Sequence, residues 1–346
     1  MKKLLVLFVV LFTVFFSYTT IAQEMGALRK GYAINFPEKV QNPLSPPLTA
    51  GIYTIGNGGY FPTIDSAFKK LSVDGIAGEV FLELIDDLYI APAREYGFLL
   101  NGPIPGTGLN SRVTIKPAAH KNVTIEGNCF AVLRFLNTNY VTIDGVGLTG
   151  TTSLTIHSLY TAQYPWNDCM EFVNNSDHNV IQNSIFICED ITRQGTGIVI
   201  FNSNSNSSSL FTPDSNLIQN NFMKKVGQGI YVGNYFHNNN IRPQGNIIRG
   251  NFIGSGTDSM IAWGIHTDYT KNSIVENNIV QNVRYLQINY PNPGISSDWD
   301  YNCIIRNNFV HNIYTSGGAW GARGLFIYEN GNSNLIYNNM VYDIRS

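Results

Sequence analysis

The residues best placed for chemistry lie in two short segments of the last third of the sequence. His266 and Asp268 are two positions apart, so on an extended strand their side chains point to the same side. Further along, the chain carries an acidic and aromatic run: Asp298, Trp299, Asp300 and Tyr301. Carboxylates beside an indole ring are suited to binding a sugar ring or a calcium ion. The alternative is an ordinary polar loop beside a surface histidine.

Aromatic residues near this group suggest a second element of a binding surface. Tyr231 precedes Tyr235 and Phe236, and with His266 these residues predict an aromatic strip on which a sugar can stack. Exposed tyrosines on a strand surface are the simpler alternative. Carbohydrate-binding candidates are therefore Tyr231, His266, Asp268, Asp298, Trp299, Asp300 and Tyr301.

The composition limits both the fold and the partners. Charged residues make up 13% of the chain and the formal net charge is −2, so nothing favours nucleic acid or an anionic membrane as partner. Asn and Gly are plentiful, together with Ile, Tyr and Phe. That mixture is typical of short strands joined by tight bends, because Asn tolerates left-handed backbone angles.

A repeated element dominates the chain beyond residue 120. Its clear copies lie 27 to 37 residues apart, with a looser copy at 141–146. Four copies carry Asn-Asn at the fifth and sixth positions, where the others have Asn183-Ser184 and Gly250-Asn251. The six copies span 179–185, 216–222, 246–252, 273–279, 303–309 and 334–340.

A second element alternates with the first and has the period-two pattern of a strand. Several of its copies follow a glycine. Its members are 133–135, 170–172, 198–200, 230–232, 265–267, 286–288 and 325–327. The two elements predict about seven or more coils, each with at least two strands.

Repetition at this period indicates a solenoid rather than a sandwich. In a parallel β-helix each strand pairs with its counterpart one coil on, at roughly 4.8 Å, so equivalent residues stack in columns. Stacked Ile, Val and Phe fill the interior, and stacked Asn side chains bond along the bends. We therefore predict an all-β, single-stranded, right-handed parallel β-helix, with the Asn columns serving the structure.

The paired Asn-x-Ile-x-x-Asn elements resemble the repeats of pectin-lyase-like proteins. The strand at 53–56 and the helix from Thr63 to Leu71 resemble the first segment of secreted bacterial members, where a short helix caps the open end of the solenoid. The resemblance covers residues from about 51 to the end and is specific for the fold. It implies contact with acidic polysaccharide along one outer face, by binding, by hydrolysis, or by a lyase reaction assisted by calcium.

Catalysis on such a face needs carboxylates in register on neighbouring coils. With 286–288 as the strand after 265–267, Asp268 stands beside Gly233 and Asn289, and no two acids are adjacent. This register favours a non-catalytic surface or adhesive protein that contacts carbohydrate and needs no cofactor. The alternative is a polysaccharide lyase or glycoside hydrolase whose acids come from loops such as 298–301, with calcium possible for a lyase.

The first residues indicate export. Lys2 and Lys3 precede an apolar run from Leu4 to Phe16, which predicts a signal peptide over 1–23 and a secreted or cell-surface protein without a membrane span after cleavage. A retained anchor is the alternative. Residues 24–50 are predicted to be a Pro-containing linker, 51–120 the N-terminal cap and first strands, and 121–346 the repeats. A repeat runs to the last residues, which we interpret as a C-terminal truncation, or as an end covered by a partner.

The four cysteines have two interpretations. In an exported chain Cys129, Cys169, Cys188 and Cys303 can pair as disulfides with three possible connectivities. Their spacing has no CxxC pair and no histidine pattern for a metal, which favours small buried thiols. Cys303 also occupies a repeat position held elsewhere by Asn or Ser.

Overall fold

The computed structural model describes residues 45–145, 154–161, 167–189, 195–202, 212–234, 241–254, 263–285, 292–315, 321–328 and 333–346. The predicted signal peptide lies outside these ranges, as do residues 24–44 of the predicted linker. The described residues form a right-handed parallel β-helix, which confirms the predicted fold.

Three parallel sheets run along the solenoid, and from β2 to β25 the chain visits them in the repeating order A, B, C. Sheet A consists of β1 (Leu48–Ile55), β2 (Ile76–Leu84), β5 (Val113–Pro117), β8 (Val141–Asp144), β11 (Val180–Gln182), β14 (Leu217–Gln219), β17 (Ile247–Arg249), β20 (Ile274–Glu276), β23 (Ile304–Arg306) and β26 (Leu335–Tyr337). Sheet B consists of β3 (Leu88–Ile90), β6 (Val123–Gly127), β9 (Leu154–Ser158), β12 (Ile185–Cys188), β15 (Phe222–Lys225), β18 (Phe252–Ile253), β21 (Ile279–Tyr285), β24 (Phe309–Thr315) and β27 (Met340–Arg345). Sheet C consists of β4 (Tyr96–Asn101), β7 (Ala131–Leu136), β10 (Asp168–Val173), β13 (Thr196–Phe201), β16 (Gln228–Gly233), β19 (Ile265–Asp268), β22 (Asn292–Asp298) and β25 (Ala322–Tyr328).

The coil count and the first boundary refine the prediction. Sheet C has eight strands, so the solenoid has about eight coils, in agreement with the predicted seven or more. Strand β1 begins at Leu48, inside the segment predicted as linker.

The core lies inside the coil and is built from columns of apolar side chains. In sheet A the inward column contains one aliphatic residue per coil, each almost completely buried: Ile181, Ile218, Ile248, Val275 and Ile305. Burying such a side chain contributes roughly 2 kcal/mol. Because the coils above and below supply the cover, each coil needs its neighbours to be stable.

The corner between sheets A and B carries the predicted asparagine column. The backbone N–H of Asn251 donates to Oδ1 of Asn278 at 3.0 Å, and the N–H of Asn278 donates to Oδ1 of Asn308 at 3.0 Å. Each side-chain amide also donates to a backbone carbonyl of the preceding coil, as Nδ2 of Asn278 does to the carbonyl of Ile248. The preceding residue, such as Asn277, has a φ near +56°. Asparagine is favoured there because it tolerates the left-handed region.

A second column turns the corner between sheets C and A. The N–H of Asn179 donates to Oδ1 of Asn216, whose N–H donates to Oδ1 of Asn246, both at 2.9 Å. Further along, the thiol of Cys303 takes the place of an amide and accepts from the N–H of Ser273 at 3.4 Å. This confirms that Cys303 occupies an asparagine position of the repeat.

A short helix, α1 (Ile64–Val73), lies at the N-terminal end of the solenoid. Thr63 and Ser66 form a capping box, each side chain accepting from the backbone N–H of the other. Its apolar face includes Phe68, whose ring lies 6.0 Å from the ring of Phe135 in the core. The helix therefore covers part of the core at this end, as predicted. Within the described ranges, the structure has no helix long and apolar enough to cross a bilayer.

The asparagine column yields a stability prediction. Replacing Asn278 by Ala removes the acceptor of the Asn251 N–H and the donor to Ile248, leaving buried polar groups unpaired. We expect Asn278→Ala to lower the free energy of unfolding by about 3 kcal/mol in urea titrations. Asn277→Gly is the matched control and should change it by less than about 1 kcal/mol, because glycine accepts the positive φ. Equal losses in the two variants would contradict a structural role for the column.

Candidate functional site

The strand register of sheet C brings two acids together. Strand β19 pairs with β22, so Ser296 lies beside His266 and Asp298 beside Asp268. The sequence-based register, which paired 265–267 with 286–288 and placed Asn289 next to Asp268, is wrong. Asp298 is the last residue of a strand rather than part of a loop.

A column of glycines explains the true register. Glycines precede the core residue of successive sheet C strands: Gly197, Gly229, Gly264, Gly294 and Gly324. A Cβ atom on Gly264 would lie 2.3 Å from the carbonyl oxygen of Gly294 and 2.2 Å from the side chain of Val280. No side chain fits there. Gly294 before Ile295 is therefore the sequence signal that could have identified β22, and 286–288 lacks a preceding glycine.

His266 is the centre of the polar group on this outer face. Its Nε2–H donates to Oδ2 of Asp298 at 3.0 Å, and Oγ of Ser296 donates to Oδ1 of the same carboxylate at 2.8 Å. Burial opposes protonation of His266, but its hydrogen bond to Asp298 and the nearby aspartate charges outweigh burial and raise its pKa above the usual value. His266 is 7% exposed, so it is not a surface histidine.

The other imidazole nitrogen of His266, Nδ1, is buried in the protein. Nδ1 has no hydrogen-bond partner within the part of the chain that the structure describes. The ring is held by aromatic neighbours, with the Trp263 centroid at 4.8 Å and the Tyr231 centroid at 5.2 Å. A buried polar atom without a partner is rare, and it indicates a place for a ligand or a water.

Tyr231 and Asp268 form the second half of the group. The Tyr231 hydroxyl donates to Oδ2 of Asp268 at 3.2 Å, and Tyr231 is only 3% exposed. Its ring packs in a small apolar cluster on the outside of sheet C with Val199 and Phe201. It therefore orients a carboxylate rather than presenting an open face. Tyr235 and Phe236, the other members of the predicted aromatic strip, lie outside the described residues.

Asp300 lies apart from this group, on the inner side of the coil. Its fully buried carboxylate accepts hydrogen bonds from the hydroxyls of Thr267, Thr270 and Ser297 and from the backbone N–H of Thr270. Burial raises the pKa of Asp300 to about 6, against the opposing effect of these donors. Asp300 therefore joins two neighbouring coils from within.

Trp299 and Tyr301 flank Asp300 at the corner between sheets C and A. The Trp299 ring stacks on Tyr269 at 5.5 Å, and the Tyr328 ring lies edge-on at 6.3 Å. Tyr301 is 40% exposed and faces Lys271, whose Nζ lies 5.9 Å from the ring centroid. Trp299 thus borders the end of the strand that carries Asp298, whereas Tyr301 lies beyond the corner.

The outer face of sheet C changes character along the solenoid. In its first coils Arg134 and Glu171 form a buried ion pair at 2.6 Å, with Arg134 over the ring of Tyr96 at 3.9 Å. Apolar side chains follow, and the polar group at His266 begins only where they end. Beyond it lies Phe326, with the guanidinium of Arg323 at 4.2 Å from its ring. The candidate site is therefore a polar segment bordered by aromatic residues.

Metal binding is not indicated by the described residues. Among them, no group of three or more His, Cys, Asp or Glu side chains is arranged to hold an ion. The chemistry available at the site is that of two carboxyl groups, an imidazole and a phenol.

Comparisons with known proteins agree with the fold. The chain matches no protein-family profile, and no curated protein sequence matches it. Its structure is similar to that of an alginate lyase from Paenibacillus sp. str. FPU-7, at a TM-score of 0.53 and 17% identity, over 82% of this chain and 94% of the lyase. This similarity supports the right-handed parallel β-helix fold.

Two further solved structures are similar at lower scores. One is a GH136 lacto-N-biosidase from Eubacterium ramulus, with a TM-score of 0.46, 9% identity, and coverage of 85% of this chain and 68% of that one. The other is a pectin methylesterase from Aspergillus niger, with a TM-score of 0.36, 11% identity, and coverage of 84% and 87%.

The raised pKa of Asp300 gives a pH prediction. A carboxyl whose pKa is higher folded than unfolded stabilises the protein below its unfolded pKa, and that stability is lost as pH rises through the folded value of about 6. The difference from 3.8 corresponds to a loss of about 3 kcal/mol by neutral pH. Asp300→Asn should therefore show a shallower fall in the free energy of unfolding between about pH 4 and 7 than the unchanged protein. Parallel curves in urea titrations across this range would contradict the assignment.

Proposed function

We propose that the protein is a glycoside hydrolase acting on a polysaccharide or surface glycan at the outer face of sheet C. The supporting observation is that Asp268 and Asp298 occupy the same register position on neighbouring coils. Hydrolysis of a glycosidic bond needs two carboxyl groups flanking the linkage. The sequence-based preference for a non-catalytic role depended on the lack of such a pair.

The surroundings of the two carboxylates suggest their roles. Asp298 accepts from the cationic imidazole of His266 and from Ser296, donors that stabilise its negative charge. We assign it the part of the base or nucleophile. Asp268 accepts from the neutral hydroxyl of Tyr231, a weaker stabilisation of negative charge. We assign Asp268 the part of the proton donor to the leaving oxygen.

The register also suggests the stereochemical course. Neighbouring strands are about 4.8 Å apart. Carboxyl groups are about 5 Å apart in retaining glycosidases and roughly 6.5 to 9.5 Å apart in inverting ones. A pair on adjacent strands fits the retaining geometry, with a covalent intermediate on Asp298 that water then hydrolyses.

Substrate contacts come from the groups around the acids. Nδ1–H of protonated His266 is a donor for a sugar oxygen, and Trp263 and Trp299 offer rings for stacking. No cofactor is part of this proposal. Calcium belongs to a lyase reaction, in which it neutralises a uronate, and an assay with and without calcium separates the two chemistries.

A non-catalytic carbohydrate-binding or adhesive function is the second candidate. The observation in its favour is the low exposure of Tyr231, His266 and Asp268, together with the hydrogen bonds that already occupy both oxygens of Asp298. In this case the same face binds a glycan without cleaving it. For either function we propose that the chain is exported to the cell surface or medium, on the evidence of its N-terminal apolar run.

Substitution of the two acids tests the catalytic proposal. Asp268→Asn and Asp298→Asn should each lower kcat by roughly 10²- to 10⁴-fold, because proton transfer or the covalent intermediate is lost. Azide should give a glycosyl azide of inverted configuration with Asp298→Asn, where it replaces the nucleophile, and one of retained configuration with Asp268→Asn, where it attacks the covalent intermediate. New reducing ends would be measured on pectin, alginate and neutral glycans, with and without calcium.

Asp87→Asn is the matched control and should leave activity unchanged, because Asp87 is an exposed partner of Lys121. Binding without new reducing ends on any polymer would instead support the adhesive function. Unsaturated products would identify a lyase.

The raised pKa of His266 predicts the alkaline limb of activity. As pH rises through that pKa, the imidazolium loses its proton, and its support of Asp298 is lost with it. We expect kcat/KM to fall there and His266→Gln to be weakly active without this limb. A pH profile of the variant that keeps the same alkaline limb would exclude His266 as its source.

A further inference from the structure

Two of the buried cysteines lie side by side in one coil. The Sγ atoms of Cys169 and Cys188 are 3.2 Å apart, and both residues are completely buried. Cys169 is on β10 in sheet C and Cys188 is on β12 in sheet B. Between them the chain passes through β11 in sheet A, so the two thiols lie at the two ends of a single circuit of the solenoid.

We propose that Cys169 and Cys188 form a disulfide bond that closes this coil into a covalent ring. An S–S bond is about 2.05 Å long, so the sulfur atoms need to approach by only about 1.2 Å. This proposal is independent of the hydrolase function, since neither cysteine belongs to the polar group at His266.

The other two thiols have different surroundings. Cys129 donates to the carbonyl of Ala131 at 3.3 Å, and Cys303 replaces an asparagine amide in its column. Burial raises the pKa of each of these thiols to about 11, which keeps them protonated and poorly nucleophilic. They are the natural controls.

The bond forms by exchange with a disulfide-bearing oxidant, such as oxidised glutathione or a protein disulfide. The thiolate of Cys169 attacks one sulfur of the oxidant, forming a mixed disulfide and releasing one thiol. The thiolate of Cys188 then attacks the Cys169 sulfur and releases the second thiol. Two cysteine thiols are oxidised, the oxidant disulfide is reduced, and the two protons pass to the released thiols. Because both sulfurs are buried in the folded protein, exchange takes place before the coil closes.

A covalent ring has a specific effect in a solenoid. Each coil is held to its neighbours by strand hydrogen bonds and by the packed interior. Without a disulfide, no covalent bond joins the sheets of one coil except the chain itself, so the strands of that coil can separate from one another. Linking sheets B and C within one circuit prevents that separation. In sheet C, strands β13 and β16 lie between the strand that carries Cys169 and the strand that carries His266, so the ring stands between the capped end and the candidate site.

Peptide mapping tests the bond directly. The full chain would be expressed in an oxidising bacterial periplasm, denatured with an alkylating agent, digested without reductant and examined by mass spectrometry. We expect a peptide pair joined through Cys169 and Cys188, with Cys129 and Cys303 alkylated. Full alkylation of Cys169 and Cys188, or a link from either of them to Cys129, would overturn the proposal.

Thermal unfolding gives a second measurement. Reductant present during unfolding should lower the Tm by on the order of 5 °C, because the link restricts the unfolded chain. Cys188→Ser should remove this sensitivity to reductant, whereas Cys303→Ser should keep it. A reductant effect that persists in Cys188→Ser would also count against the bond. The mapping experiment uses the unchanged chain, so it decides the question even if a variant folds poorly.

Discussion

The structure depends on one hydrogen bond that repeats from coil to coil: a backbone amide donating to the asparagine side chain of the next coil. At the corner between sheets A and B this bond ties Asn221, Asn251, Asn278, Asn308 and Asn339 into a column. A sharp bend leaves backbone groups that no strand can pair, and in a buried corner each would cost about 1 to 3 kcal/mol. The side-chain amide supplies both a donor and an acceptor. It therefore pairs the backbone groups of the bend and fixes the register of the coils that it joins.

This register explains which strands could be predicted from the sequence and which could not. The asparagine repeat defined sheets A and B well, because the same residue recurs at the same place. Sheet C has no such marker, and Ile295-Ser296-Ser297 has too few apolar residues to show a strand pattern. The apolar run at 286–288 has the period-two pattern of a strand. Pairing that run with β19 left Asp268 without an acidic neighbour. Only the glycine column distinguishes the two, and its meaning depends on backbone contacts with the next coil.

Corner geometry explains the contrast between Asp298 and Asp300. On a strand, residues two apart share a face. Trp299 has a φ of +57°, which breaks this alternation, so Asp298 points outward and Asp300 inward. Sequence spacing alone therefore grouped two carboxylates that lie on opposite sides of the coil. The outward carboxylate of Asp298 bonds His266 and Ser296, and the inward carboxylate of Asp300 accepts from hydroxyls inside the coil.

The corner between sheets A and B differs from the two corners beside sheet C in how far its chain length varies. From β11 onward, two residues separate each sheet A strand from its sheet B successor, as at 183–184 and 338–339, whereas the intervals beside sheet C vary from two residues at 226–227 to eleven at 254–264 and fifteen at 202–216. From β11 onward, the variation in chain length is therefore confined to the two corners that flank sheet C. A lineage of such proteins can remodel the surroundings of His266 by lengthening those connections, while the asparagine corner keeps the pitch of the solenoid constant.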